Sequence, residues 1–471
     1  MPGRSASISC FMLSIKNPAN GQTIQTLEED TAATIAAKFA RASGEQKKWA
    51  ALPYSNRAAI IARFRDLLVE RLEELAQTMS QETGKPVTQA RNEIRATPGR
   101  IDFFLTNAES AMREELAAES EATGGTKEVI SYEPLGVIAN ISAWNYPYFV
   151  GSNVFVPALL TGNTVLYKPS EMASLTGLKI DALLHEAGIP ADAFITIIGG
   201  GAAGSALLDQ KIQGVFFTGS YATGQKIAQA AASKMIRVQL ELGGKDPAYV
   251  CDDVNIENAA ESLAEGAFYN AGQSCCAIER IYVHEKVYDS FLDQFLKAVK
   301  GYSVGDPKSD ATFVGPLTRA QQLDILEAQV AEATAKGARV LTGGKRLASP
   351  GNFFQPTVIA DADQNLRLMR EESFGPIIGI QKVRSDAEAI ERMNDTEYGL
   401  TAGVYSKDEK RAHEILAQMD SGSVYWNCCD RVSPRLPWTG RRHSGIGSTL
   451  SVIGIRAFLQ PKAWHLRAPK T

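Results

Sequence analysis

Two short segments hold side chains able to carry covalent chemistry. In FYNAGQSCCAIER, residues 268–280, Cys275 sits in a glycine-containing turn. Backbone N–H groups in such a turn lower a thiol's pKa and bind an oxyanion, so this segment suggests a nucleophile. In QLELGGKDP, residues 239–247, Glu241 falls at the end of an apolar strand, and Gly243 and Gly244 behind it allow close backbone approach. A carboxylate at a strand end can act as a base in a crevice. A third segment, AWNYP at 143–147, offers the Asn145 amide as a neutral oxyanion donor. Taken singly, each has an ordinary alternative: an inert buried thiol, a solvated or ion-paired glutamate, an asparagine in an aromatic–proline turn.

Three loops point to a phosphate-bearing ligand. FTGSYATG, residues 217–224, puts Gly219, Ser220 and Gly224 where a helix begins, which suits a dinucleotide pyrophosphate. VLYKPSE, residues 165–171, places Lys168, Ser170 and Glu171 at another strand end, and GGGAAG at 199–204 is a weaker relative. A plain strand-to-helix turn explains any one of them equally well.

The frame that must hold these loops shows as a change of period. Short β-branched runs at 137–141, 164–167, 194–198, 215–218 and 238–242 alternate with Ala/Leu-rich helical stretches. Continuous apolar strands of this kind imply a parallel sheet covered on both faces. The fold class is α/β, with a doubly wound, Rossmann-like unit whose ligands belong at the strand C-termini. Upstream, Phe64, Leu67, Leu68, Leu72, Leu75 and Met79 predict one long helix from Ile60, stopped by Gly84 and Pro86. Residues 111–127 read as a surface connection, and EVISYEPLGVI after them as an exposed ribbon entering a buried strand. A second α/β section runs from about 248 to 426, with a strand at 280–283 and a helix bearing Val287, Phe291, Phe295 and Val299. Capping boxes are predicted at Ser385 with Glu388 and at Ser406 with Glu409. The last 45 residues have no clear period.

Composition narrows the class. The chain has 471 residues, 44% of them hydrophobic, and its 49 Lys and Arg against 53 Asp and Glu give a net charge of -4. That length corresponds to roughly two to four domains. The balance does not favour nucleic acid or an acidic membrane surface as partner. No apolar run is long enough to cross a bilayer, and the first fifteen residues are too weakly apolar for a signal peptide, with Met12 an alternative natural start. The expectation is a cytoplasmic enzyme. Six cysteines are too few for a disulfide scaffold, and five isolated histidines offer few zinc ligands, so reduced thiols and no metal are expected.

In combination the segments resemble the NAD(P)-dependent aldehyde dehydrogenase superfamily, and the likeness covers nearly the whole chain. ETGKP, the WNYP loop, Tyr167 to Glu171, FTGS with Gly224, LELGGK, NAGQSC, EESFGP and a variant LPWTGRRHSG stand in the family's order. The interval of 34 residues between Glu241 and Cys275 (275 minus 241) is also similar. The resemblance implies oxidation of an aldehyde to the acid. Cys275 would attack the carbonyl to give a thiohemiacetal, with the oxyanion held by Asn145 and the Cys275 N–H. Hydride transfer would leave a thioester, which Glu241-activated water hydrolyses. By the same route Lys168 and Glu171 hold the adenine-side ribose, Gly219, Ser220 and Gly224 the pyrophosphate, and Glu372 and Phe374 the nicotinamide ribose and ring, with Trp144, Ser170 and Leu242 as further cofactor-binding residues. A carboxylate at Glu171 would repel a 2′-phosphate, so NAD is expected over NADP.

The resemblance also implies three units: residues 1–126 and 137–247 for NAD binding, 248–440 for catalysis, and 127–136 with 441–471 for association into a homodimer or homotetramer. Six residues after Pro147 stands Asn153, where succinic-semialdehyde enzymes often carry Arg and betaine-aldehyde enzymes often carry Trp. Asn153 supplies neither, which favours an uncharged aliphatic or aromatic aldehyde, with those two types as alternatives. Tyr148, Phe149, Trp426 and Trp438 are candidates for the cavity mouth, with ordinary packing as the alternative. Thr439 and the absence of Arg-Glu after Gly447 depart from the family's pattern. They are expected to alter tail packing and leave the chemistry untouched. A cysteine hydrolase and a non-catalytic dinucleotide-binding protein are the competing classes. The first lacks an accompanying histidine, and Cys275, Glu241 and Asn145 together argue against the second.

Overall fold

Five apolar runs fold as the parallel strands they predict. In the computed structural model, which describes residues 11–120, 125–467 and 469, the first sheet has six strands. Their order is Gly445–Ile446, Arg237–Glu241, Gly214–Thr218, Val137–Ile141, Thr164–Lys168 and Phe194–Thr196, all parallel except the short first one. Chain order starts in the middle, moves to one edge, then returns to build the other side. This is the doubly wound pattern, with its switch point between Val137–Ile141 and Gly214–Thr218. Helices Pro147–Leu160, Ser174–Ala187, Gly201–Leu208 and Tyr221–Ala232 connect the strands.

The second section forms a seven-stranded sheet, with Pro247–Val250 beside Arg280–His284 near its centre and Ser423–Trp426 at one edge. Helix Tyr288–Lys300 buries Phe291, Phe295 and Val299 against it, as their spacing predicts, while Val287 lies just before the helix. A third sheet pairs Leu459–Arg467 with Thr126–Pro134, and that strand with Glu115–Ser120.

Several expectations need correction. The single helix from Ile60 is two, Tyr54–Glu70 and Leu72–Thr83, broken at Arg71 with φ -103° and ψ 13°. The apolar face continues across the break, so periodicity alone could not reveal it. Gly84 does end the second helix, at φ 80°, the left-handed conformation glycine adopts without strain. The connection at 111–127 contains the strand Glu115–Ser120, built from residues of low β propensity because a neighbouring strand supplies its hydrogen bonds. Ser385 caps its helix by accepting from the Glu388 N–H at 3.2 Å. Ser406 caps none: Asp408 is the cap, and the Ser406 hydroxyl donates to Asp253. Pairing also crosses the units expected above. Glu115–Ser120 joins the third sheet, and Gly445–Ile446 edges the first. Cys10 and most of the N-terminal stretch considered for targeting lie outside the described residues.

Candidate active site

The loop carrying the thiol is held in an uncommon backbone conformation. Asn270, Ala271 and Gly272 have φ of 53°, 55° and 70°, three successive left-handed residues. Such geometry persists only when its surroundings over-determine it. Here Asn270 Nδ2 donates to the Asn145 and Gln273 carbonyls, and Gln273 Oε1 accepts from the Thr318 N–H at 2.9 Å. Asn145 Nδ2 donates to the Gln273 carbonyl at 3.1 Å, which aims the amide at the loop bearing Cys275. Cys275 is half-buried, whereas Cys276 is buried with its Sγ donating to Asp430 Oδ1 at 3.0 Å.

Glu241 ends its strand at 7% exposure. Burial pushes its carboxyl up to about 6, opposed by hydrogen bonds from Thr449 Oγ1 and Gln239 Nε2 and by the charge of Arg100. Thr449 belongs to the tail expected to leave the chemistry untouched. The tail does touch this group: Gly445 pairs with Glu241, the Ser444 carbonyl accepts from the Leu242 N–H, and the Thr449 hydroxyl donates to the Glu241 carboxyl. Nothing local in the sequence announces a contact across 208 residues.

Two cavities meet at these groups. One, of about 740 Å³, opens at the C-terminal ends of the first sheet's strands and is lined by Trp144, Asn145, Lys168, Ser170, Glu171, Gly219, Ser220, Glu241, Leu242, Cys275, Glu372 and Phe374. Gly224 is absent from this lining. A Cβ there would stand 2.6 Å from Leu242 Cδ2, so its bareness lets the helix pack on Leu242. Ser220 accepts from the Thr223 N–H and caps helix Tyr221–Ala232, leaving a helix N-terminus facing the cavity. Residues 199–204, read above as the weaker loop, do have glycines at 199, 201 and 204 in the dinucleotide-binding spacing. They open helix Gly201–Leu208 onto the same cavity. Glu372 accepts from the Gly244 N–H at 3.1 Å, and burial pushes its carboxyl up to about 8. A buried pair not singled out by sequence, Lys245 with Glu279, holds this corner: Glu279 accepts from the N–H of Ser373 and Phe374. Phe374 then meets Trp144 edge-on, 5.5 Å between centroids. A bare-glycine cradle, a helix N-terminus and carboxylates placed for ribose hydroxyls fit a nicotinamide dinucleotide.

The second cavity, about 950 Å³, is lined by Phe149, Asn153, Cys276, Cys429 and Trp438 as well as Glu241 and Cys275. Of the aromatics considered for the mouth, Phe149 and Trp438 line it. Tyr148 is packed in the core, and Trp426 donates its Nε1–H to the Ser406 carbonyl elsewhere. Helix Val87–Ala111 brings two further lining groups, Glu93 and Arg100, that the sequence reading missed. Their signal was present: charges seven apart on the buried stripe of the helix, with Ala90, Ile94, Ile101 and Phe104 beside them.

A doubly wound sheet with a cavity at its strand ends, meeting a second cavity at a thiol and a carboxyl, is the architecture of a dinucleotide-dependent oxidoreductase. The chain belongs to the aldehyde dehydrogenase family, which it matches over residues 7–464. A betaine aldehyde dehydrogenase of Cereibacter sphaeroides is 35% identical over 452 residues, 96% of this chain and 92% of the relative. Among solved structures, an Escherichia coli NADP dependent enzyme superposes with TM-score 0.94 at 31% identity, covering 97% of this chain and 95% of that one. A betaine aldehyde dehydrogenase point mutant from Staphylococcus aureus, in complex with NAD+, gives TM-score 0.93 at 30% identity, covering 98% and 95%. The protein is an NAD(P)-dependent aldehyde oxidoreductase. No helix among the described residues is long and apolar enough to cross a membrane.

Proposed function

We propose that the chain oxidises an aldehyde to the free carboxylic acid with NAD, through a thiohemiacetal and then a thioester on Cys275. The observation that carries this reading is that the two cavities share Cys275 and Glu241. The Cys275 thiolate forms a C–S bond to the carbonyl carbon, and charge gathers on the oxygen. Asn145 Nδ2 and the Cys275 N–H hold that charge. A nicotinamide held in the first cavity would supply the hydride acceptor; the adduct's C–H bond would break, its C=O re-form, and a thioester remain on Cys275. Glu241 then accepts a proton from water as the water attacks; the C–S bond breaks and the thiolate leaves. An aldehyde panel monitored for NADH tests the reading, and no turnover with any aldehyde despite NAD binding would favour a non-catalytic protein.

Burial gives this base a distinct pH signature. A carboxyl raised from 4.5 to about 6 is ionised at neutral pH, and loses its ability to accept a proton as pH falls through about 6. The deacylation-limited kcat is therefore expected to drop below pH ~6 rather than below the usual carboxylate range. Thr449→Val removes a donor to the ionised form, so the limb should move up by about one unit. A limb that stays in place in the variant would separate Thr449 from the base.

For the cofactor, Glu171 supports NAD. Its carboxylate lines the cavity 3.9 Å from Lys168 Nζ, where it can accept from a ribose 2′-OH but repels a 2′-phosphate. The expected result is a kcat/KM with NAD at least ~10-fold above that with NADP, narrowed in Glu171→Gln. A preference for NADP would sink it.

Asn153 supports an aldehyde without a cationic group. A betaine-aldehyde reading has the curated relatives in its favour. Against it, Lys85 Nζ already sits 3.8 Å from the Tyr146 centroid and Arg100 4.1 Å from that of Phe149. Those ring faces are taken by the protein's own cations. The strand Leu459–Arg467 ends the third sheet with a free edge, which supports pairing with a second copy into a homodimer or a dimer of dimers. Free thiols at the five described cysteines suit a cytoplasmic setting.

A further inference from the structure

The substrate-side cavity holds a buried cation, Arg100, that favours the ionised form of Glu241 and stacks on the Phe149 ring but that no carboxylate contacts among the described residues. Arg100 is 6% exposed, yet it makes no ion pair among the described residues. Its two hydrogen bonds go to neutral acceptors, Nη1 to Asn153 Oδ1 at 3.3 Å and Nη2 to the Val432 carbonyl at 3.1 Å. Of the acids lining the cavity, three have partners of their own. Glu93 pairs with Lys85 and accepts from the N–H of Tyr148 and Phe149, Asp102 pairs with Arg65, and Asp430 accepts from Cys276. Glu265 is at the exposed rim and Glu241 at the thiol. Burial lowers the guanidinium only to about 10, so it stays charged. The charges of Glu93 and Glu241 support it through space, but a desolvated cation that no carboxylate touches gains from a ligand that supplies one in direct contact.

We infer that Arg100 is a specificity-determining residue that receives the carboxylate of an aldehyde acid, a substrate with its aldehyde at Cys275 and an anionic group at the far end. This rests on the aldehyde-oxidising reading above and deepens it, replacing the uncharged substrate class with an anionic one. Geometry and chemistry converge. Arg100 and Cys275 line one cavity. The guanidinium fork matches a carboxylate, and an incoming carboxylate exchanges neutral acceptors for a charged one. Asn153, which carries no charge of its own, accepts from the residue that does, so the positive charge reaches the cavity from the neighbouring helix Val87–Ala111. Arg431 and Arg435, exposed on the same lining and without ion pairs among the described residues, add a positive rim that attracts anions.

The test uses pairs of aldehydes that differ only at the far end, butanal with succinic semialdehyde and benzaldehyde with 4-carboxybenzaldehyde, and betaine aldehyde as the cationic member. In at least one pair, the wild-type enzyme should show kcat/KM at least ~10-fold higher for the carboxylated aldehyde, and betaine aldehyde should be poorest. Arg100→Met should lower that ratio by ~100-fold, with the loss in KM of the carboxylated member; Arg100→Lys, a point charge without the fork, should recover part of it. NAD titration of Arg100→Met reports its folding. If that variant does not bind NAD, the wild-type ratio and Arg100→Lys decide. Ratios of one or less in both pairs, or a ratio unmoved by the substitutions, overturn the inference while leaving aldehyde oxidation standing. No NADH from any of the five aldehydes overturns the oxidation reading and this inference with it.

Discussion

Cys275→Ala is expected to lower aldehyde-dependent NADH formation by on the order of 10⁴-fold or more, with every aldehyde the enzyme accepts. Without the thiol no carbonyl adduct forms, and there is nothing for the dinucleotide to oxidise. The neighbouring thiol cannot replace it. Cys276 is buried with its Sγ on Asp430, and hydrogen bonding with Cys275, burial and the Asp430 charge hold its pKa well above the ordinary thiol value. Alanine at 275 removes one sulfur from a half-buried position and leaves the glycine cradle and the Ser220 cap in place. NAD should therefore still bind, measured by fluorescence titration beside the activity assay. Turnover within tenfold of wild type would remove Cys275 from the chemistry.

Glu241→Gln separates the two halves of the reaction. The amide keeps the size of the side chain and can still accept from Thr449 and pack against Gln239, but it cannot take a proton from water. Steady-state kcat should fall by ~10²–10⁴-fold, the usual contribution of a general base. The first turnover needs no deacylation, so one NADH per site should still appear as a burst, and the acylated protein should be visible by mass. An unchanged kcat would show that another group activates water. Loss of the burst as well would place Glu241 in the formation of the adduct.

Much of the frame is readable along the chain. Parallel strands buried on both faces must be continuous apolar runs, so 137–141 and 214–218 announce themselves, and Glu241 is placed at a strand end by its run. The ETGKP stop is likewise local, because only glycine takes φ 80° without strain. The misreadings share another cause. Arg71 breaks a helix whose apolar period continues, and Glu115–Ser120 becomes a strand only because Thr126–Pro134 offers a ladder. Ser406 has the spacing of a cap, but Asp253 competes for its hydroxyl from 153 residues away.

The same division runs through the active site. The sequence alone determined the α/β class, the strand-end placement of the loops and the side-chain types offered at 145, 241 and 275, because period, turn chemistry and motif spacing are properties of neighbours. Tertiary structure alone decided what those groups face. Thr449 tunes Glu241 from the far end of the chain, Glu279 holds Phe374 in place, and Arg100 stands unpaired in the substrate cavity, in contact with the Val432 carbonyl 332 residues on. Such contacts arise where strands and helices distant in sequence pack together. A buried charge shows its meaning only when its partners, or the lack of them, are in view.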